Sequence, residues 1–284
     1  IFKKRNAQSY FAIQTFAAPI VQTQGTAQGF HFDNATMKPI INNEGWKKAF
    51  ELYKATGQYG PPDELNMDIG DTRALFKAGR CGLIVEWGDP GTLQLDDDAK
   101  SIRGKMYAIS AVGSTEVLDR ATGKLVPVSA ATAPYAVDGI NYAPFAAFGG
   151  WAGAVNKGAD AKTKAAAYAF LSYMNQAAQS GVDVTIGATG YNPYRTSQLA
   201  STDLWVKAGM PKALADNYLG AINGAINNLN MASDMKIPGA QKYTSVVLDT
   251  ELARYLAGEI TVDEALANIE EGWEEVTEDF GRDE

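Results

Sequence analysis

At 284 residues, with 46% hydrophobic and 20% charged side chains, the chain holds enough apolar material to bury a core in one large domain or two lobes. Its net charge of −8 comes from scattered acidic residues, and no basic run is interleaved with aromatics, which argues against a phosphate-binding nucleic-acid surface. No apolar run approaches the roughly twenty residues of a membrane span, and the opening IFKKRNAQSYF lacks the apolar centre of a secretion signal.

In chain order, Tyr10, Phe11, Ile13 and Phe16 predict a helix over 7–18, and TQGTAQGFHF after it reads as a turn into a short strand or hairpin. Trp46, Ala49, Phe50 and Tyr53 recur at helical spacing, predicting a helix over 44–56 with Asn43 as its cap and Gly57 closing it in a left-handed conformation. DIGDTRALFKAGRCGLIVEWGDPG reads as a helix over 71–78, a stop at Gly79, a buried strand over 81–87 internal to a sheet, and a turn at GDPG. KMYAISAV gives a strand over 105–112, and 113–144 reads as loop or hairpin. FGGWAGAV places two glycines and a tryptophan at the mouth of a short apolar strand, followed by a helix over 161–178, the loop GATGYNPYRTS, and helices near 197–208, 211–228 and 239–257. Gly258 ends the last of these, and Thr261 with Glu264 has the capping-box spacing of a final helix. The missing initiator methionine, and an end at EDFGRDE just past a helix, are expected of edges cut from a longer polypeptide.

Catalytic constellations are poorly supplied. One histidine, His31, leaves a nucleophile a single possible base and a histidine metal site a single ligand, and it is read as structural or surface. One cysteine, Cys81, makes neither an internal disulfide nor a thiolate cluster and is read as a buried structural thiol. The aspartates at 96–98 lack the spacing of a calcium loop and read as a solvated turn, GGWAGAV matches no phosphate-loop order, and no carboxylate pair sits in a glycosidase motif. Asn34 in NAT is an acceptor sequence for N-glycosylation. What recurs is an aromatic residue in a Gly-rich turn at a strand end: Trp87 before GDPG, Trp151 after GG, and Tyr191 in TGYNPYR with Tyr194 just beyond. Strand ends in an α/β sheet face the crevice where ligands bind, and ring faces stack on the C–H faces of sugars.

Five blocks in order, FDNATMKPIINNEGWKKAFELYKATGQYGP, ALFKAGRCGLIVEWGDPG, FGGWAGAVNKGADAKTKAAAYAFLSYM, GYNPYRTSQL and IPGAQKYTSVVLDTELARYLAGEITVDEALANIEEGW, resemble the second half of the carbohydrate-binding, maltose-binding-protein-like class of extracellular solute-binding proteins. The resemblance implies an α/β, type II periplasmic-binding-protein-like fold with one nearly complete lobe and a segment of the other. Residues 1–145 and 194–284 would form the C-terminal-type lobe, and 146–193 the hinge crossing and the N-terminal-type segment. It implies that Gly149 and Gly150 turn the backbone at the hinge, that Trp151 points into the cleft, and that Trp87, Asp89, Tyr191, Asn192 and Arg195 border it, with Tyr243 and Tyr10 as further contacts. It implies a non-enzymatic, extracytoplasmic binder of a small sugar-like solute, without cofactor, metal or membrane insertion. An ABC-type transporter or the rest of a membrane-anchored polypeptide would be its partner. The rival reading is a structural module of a larger assembly that keeps the fold without binding.

Overall fold

The computed structural model describes residues 1–282 apart from 111, 149 and 188. Its main core is built by helices from both ends of the chain. Helix α1 (Ser9–Val21) starts and ends a little later than the predicted 7–18 and runs through Pro19. Its end is held by a buried amide pair: Asn141 Nδ2 donates to the Pro19 and Gln22 carbonyls at 2.8 Å each, and Asn230 Nδ2 also donates to Gln22 O at 2.8 Å. These bonds satisfy carbonyls that a helix terminus leaves without partners.

Helix α2 (Glu44–Ala55) begins at Asn43, whose side chain accepts from the Gly45 and Trp46 amides at 3.0 and 3.1 Å. Trp46, Ala49, Phe50 and Tyr53, the predicted stripe, are fully buried against α1. Gly57 does not close this helix in the left-handed region. The chain instead tightens into a 3₁₀ turn over Thr56–Tyr59, where Thr56 Oγ1 donates to Tyr53 O at 2.7 Å.

From the other end, a π-helical turn (Lys242–Leu248) leads into α9 (Asp249–Ala257), which ends at Gly258 with φ 80°. Helix α10 (Val262–Phe280) carries the predicted capping box: Thr261 Oγ1 accepts from the Glu264 amide and Glu264 accepts from Thr261 N at 2.7 Å. Leu266, Ile269 and Trp273 of α10 complete the core. His31 lies within it, 4% exposed, in edge contact with the Phe30 and Trp273 rings and with Nε2 donating to Gln14 Oε1. Burial pushes its pKa down to about 3, so the imidazole is neutral and structural.

Strands are few and short among the described residues. β1 (Gly113–Ser114) pairs with β4 (Asn141–Tyr142), and β2 (Glu116–Asp119) with β3 (Lys124–Pro127), both antiparallel and both within the region read as loop or hairpin. β5 (Phe145–Ala146) and β6 (Ala232–Ser233) pair in parallel, Phe145 opposite Ala232 and Ala146 opposite Ser233. Among the described residues, no strand forms over the predicted 81–87 and 105–112 or in the stretch begun by FGGWAGAV. Leu83, Tyr107 and Ile109 of these stretches face outward, 72%, 72% and 75% exposed, while Ile84 and Met106 pack on a small apolar cluster rather than on a neighbouring strand.

Helix α3 (Ile69–Lys77), capped by Asp68 and followed by Gly79 at φ 72°, packs Phe76 with Leu93, Ala99 and Ile102 in a small cluster that Cys81 adjoins, partly exposed. The GDPG turn is the start of a 3₁₀ segment, Asp89–Leu95. Asp96 and Asp98 both pair with Lys77, at 3.0 and 2.6 Å. The predicted helix over 161–178 splits at Asn175 into α4 (Ala161–Met174) and α5 (Ala177–Asp183). After Arg195 come α6 (Thr196–Leu199), α7 (Asp203–Lys207) and α8 (Lys212–Ile226). Trp205, Met210, Leu214 and Tyr218 form a second core there.

Candidate functional site

The parallel pair positions the site. Phe148 and Asp234 each follow the carboxyl end of a strand, β5 and β6, and the Phe148 amide donates to Asp234 Oδ2 at 2.9 Å. This bond holds Phe148 at φ 75°, a conformation costly for any residue with a side chain. Asp234 is half-buried, which raises its pKa, while the Phe148 and Met235 amides lower it. Ligands of open α/β folds bind outside the carboxyl ends of parallel strands, where these two residues lie.

Phe148 belongs to a row of rings. Trp87 stacks on Phe2 at 5.7 Å with an interplanar angle of 5°, and meets the edge of Phe11 at 5.4 Å. Phe11 meets Phe148 at 5.7 Å, and Phe148 meets Trp151 at 5.2 Å. Tyr10 leans on Phe11 at 4.4 Å. Exposure grows outward from Phe11, which is 5% exposed, to Phe148 at 44% and Trp151 at 67%. Trp87 and Tyr10 are half-buried. Three residues singled out from sequence, Trp87, Trp151 and Tyr10, are therefore brought together through two that were missed, Phe11 and Phe148. Phe11 read as core from its helical spacing, and Phe148 stands just before the two glycines that drew attention. Asp234 carried no motif at all.

Trp151 is held in place. Its Nε1 donates to Gly190 O at 3.3 Å, and Gly190 has φ 77°, which favours glycine. The Gly190 amide faces the Asp89 carboxylate. Gly150 has φ 98° with open space around it, so glycine is required there by conformation rather than by crowding. Gly149 lies outside the described residues.

The remaining residues expected at the site are engaged elsewhere. Asp89 is 2% exposed, and its Oδ2 lies 2.9 Å from Arg73 Nη2, an ion pair whose angle falls short of a hydrogen bond. The same guanidinium donates through Nε to Glu86 Oε2 at 2.6 Å. Burial pushes Glu86 up to about 7 against the pull of Arg73, and burial likewise raises Asp89. Tyr191 packs on the second core, and Asn192 Oδ1 is buried where a Cβ on Gly88 would come within 2.6 Å of it. Arg195 donates to Ser180 Oγ at 3.1 Å and to the Asn175 carbonyl, bracing the α4–α5 junction. Tyr243 is 2% exposed, its hydroxyl bonded to Thr277 Oγ1 at 3.0 Å, which makes it a core residue rather than a surface contact.

Two depressions, of about 400 and 370 Å³, lie elsewhere. One is lined by Ile69, Arg73, Lys77 and Leu93, the other by Phe16, Ile20, Leu52 and Tyr59, and the ring row borders neither. At its outer end, where Phe148 and Trp151 are exposed, the row is an open ledge. Among the described residues no group of three or more His, Cys, Asp or Glu side chains is placed to hold a metal ion.

No family model and no curated protein matches the sequence. Solved structures do. Maltose-bound MalE3 of T. maritima superposes with a TM-score of 0.61 at 15% identity, over 97% of this chain and 60% of its own. An ABC transporter solute-binding protein of Agrobacterium radiobacter K84 in complex with ribitol gives 0.62 at 17%, over 97% and 58%. One from Agrobacterium vitis S4 with bound D-mannitol gives 0.56 at 18%, over 99% and 61%.

The chain has the periplasmic-binding-protein-like fold. It accounts for about 60% of the length of these solute-binding proteins, so it carries part of that fold. None of its described helices is long and apolar enough to cross a membrane.

Proposed function

We propose that the chain is the larger part of an extracytoplasmic receptor for a sugar or sugar alcohol, with Trp151 and Phe148 as its stacking surface. One observation carries this reading: an exposed tryptophan, pinned by its indole N–H to Gly190, extends the ring row at the carboxyl ends of β5 and β6. Maltose, ribitol and D-mannitol are named as bound in the solved structures that share the fold. Such solutes offer C–H faces to a ring and hydroxyls to neighbouring polar groups. Here the polar groups are the Asp234 carboxylate and the Tyr10 hydroxyl, which interacts with Ser245.

In this reading residues 1–145 and 194–284 form one lobe, and 146–193 the hinge crossing and a segment of the other. An open ledge offers one face to the solute. Closure of a second lobe would cover the opposite face and exclude water, so ligand selects the closed form by binding it more tightly. A transporter of the ABC type would read that closure and take the solute. The reading is of a binder, and no chemical step is assigned to it.

Calorimetry on the complete polypeptide with maltose, ribitol and D-mannitol tests the proposal. Saturable heat with at least one of them is expected, and Trp151→Ala should weaken it about tenfold, ~1.4 kcal/mol, without lowering Tm because the ring is exposed. A second reading, a scaffold that keeps the fold without binding, is favoured by the internal engagement of Asp89, Arg195 and Tyr243. Absence of heat with every solute in a folded sample would establish it.

A further inference from the structure

Trp151 belongs to neither helix nor strand, and its indole N–H donates to Gly190 O at 3.3 Å. The ring also lies over that glycine, where a Cβ on Gly190 would come within 3.6 Å of Cζ2. Its other aromatic neighbour is Phe148. The orientation of this exposed side chain therefore depends on what holds Gly190 in place.

The buried 3₁₀ segment Asp89–Leu95 does so from both of its ends. At the start of the segment, the Gly190 amide faces the Asp89 carboxylate. Just past its end, Gly187 lies so close to Asp96 Oδ1 that no side chain would fit between them. Asn192 Oδ1 lies where a Cβ on Gly88 would come within 2.6 Å, so a third residue rests on the same support. Both aspartates are fixed in turn by α3. Arg73 and Lys77 stand four residues apart, on one face of that helix. Arg73 Nη2 lies 2.9 Å from Asp89 Oδ2, and Lys77 Nζ 3.0 Å from Asp96 Oδ2. A carboxylate suits such a post because both of its oxygens accept, so it can serve a cation on one side and a backbone amide on the other.

We propose that Asp89 and Asp96 are positioning residues for Trp151: clamped by Arg73 and Lys77, they seat Gly190 and Gly187, and so fix the indole on which the solute stacks. Asp89 does this without meeting the solute, since it is 2% exposed and turned to Arg73. The inference rests on the reading of Trp151 as a stacking surface and adds to it the parts of the fold that aim the ring.

The indole N–H resonances of ¹⁵N-tryptophan-labelled complete polypeptide, recorded first without any sugar, test the seating. Asp89→Asn leaves one acceptor oxygen where two are needed, so it can serve Arg73 or the Gly190 amide but not both. It is expected to move the Trp151 resonance while those of the buried Trp46, Trp205 and Trp273 stay fixed. Asp96→Ala, at a partly exposed position that tolerates the change, should move it too and decides the matter alone if Asp89→Asn fails to fold. Asp98→Ala removes the exposed partner of Lys77, which does not approach Gly187 or Gly190, and should leave it in place. Calorimetry with maltose, ribitol and D-mannitol should then show affinity about fivefold weaker in Asp89→Asn, the scale of one lost hydrogen bond, and no further weakening when Trp151→Phe is already present. A Trp151 resonance unmoved by the first two variants, or moved equally by Asp98→Ala, overturns the proposal. So does a loss of affinity that persists undiminished beside Trp151→Phe, which would make Asp89 a contact of the solute itself. The resonance comparison needs no sugar, so a failure of sugar binding is told apart from a failure of the seating.

Discussion

His31 shows how much one residue's surroundings decide. A lone histidine invites a functional reading, yet its imidazole is enclosed by Phe30 and Trp273, with Gln14 accepting its proton. Burial lowers its pKa from an ordinary 6.5 to about 3. The unfolded chain therefore takes up a proton between about pH 6.5 and 3 that the folded chain refuses, and stability is lost as pH falls through that window. His31→Gln keeps a donor for Gln14 and removes this proton. Relative to wild type, the variant should gain about 1.4 kcal/mol per pH unit on descending from 6 to 4, read from urea unfolding midpoints. A difference independent of pH would show that His31 is accessible in the folded state.

Among the elements, α3 and the Asp89–Leu95 segment are tied together by Arg73, whose guanidinium serves the buried Glu86 and Asp89. Arg73→Met leaves two carboxylates without their cation and should cost about 3–5 kcal/mol of stability, measured by thermal or urea unfolding. A loss below ~1 kcal/mol would mean that water reaches the cluster. Glu86 runs opposite to His31: its folded pKa, about 7, is raised above the ordinary 4.5, so its contribution is full at low pH and is lost as pH rises between those values.

Helices with a clear stripe and a cap were legible in the sequence. Asn43 with Trp46, Ala49, Phe50 and Tyr53, and Thr261 with Glu264, each join a local signal to a buried face. The strands were not, because an apolar run such as GLIVEW specifies a wish for burial and leaves the partner unstated; here Leu83 is left in solvent. The same limit applied at the site. The glycine pair at 149–150 pointed to Trp151, whereas Gly190, Phe11, Phe148 and Asp234 join it through contacts that tertiary structure alone brings about. Asp89, Arg195 and Tyr243 carried equally suggestive contexts and are bound internally, which only tertiary contacts reveal.

At the scale of the whole molecule, a fold matched over about 60% of its solved examples presents an aromatic ledge and a helix, α4, with no buried residue. Both follow if a two-lobed receptor is represented here by one lobe and a crossing segment. A solute held on one ring face alone keeps most of its surface wet, so affinity should be weak until a second lobe encloses it. The central claim is that Trp151 is where the solute sits. The most direct test follows the indole N–H resonances of ¹⁵N-tryptophan-labelled complete polypeptide, with the Trp151 signal assigned by Trp151→Phe, during titration with maltose and D-mannitol. The account predicts a saturable shift of the Trp151 resonance with at least one of them, larger than that of the buried Trp46, Trp205 and Trp273. A Trp151 signal that stays fixed while calorimetry registers binding would contradict it.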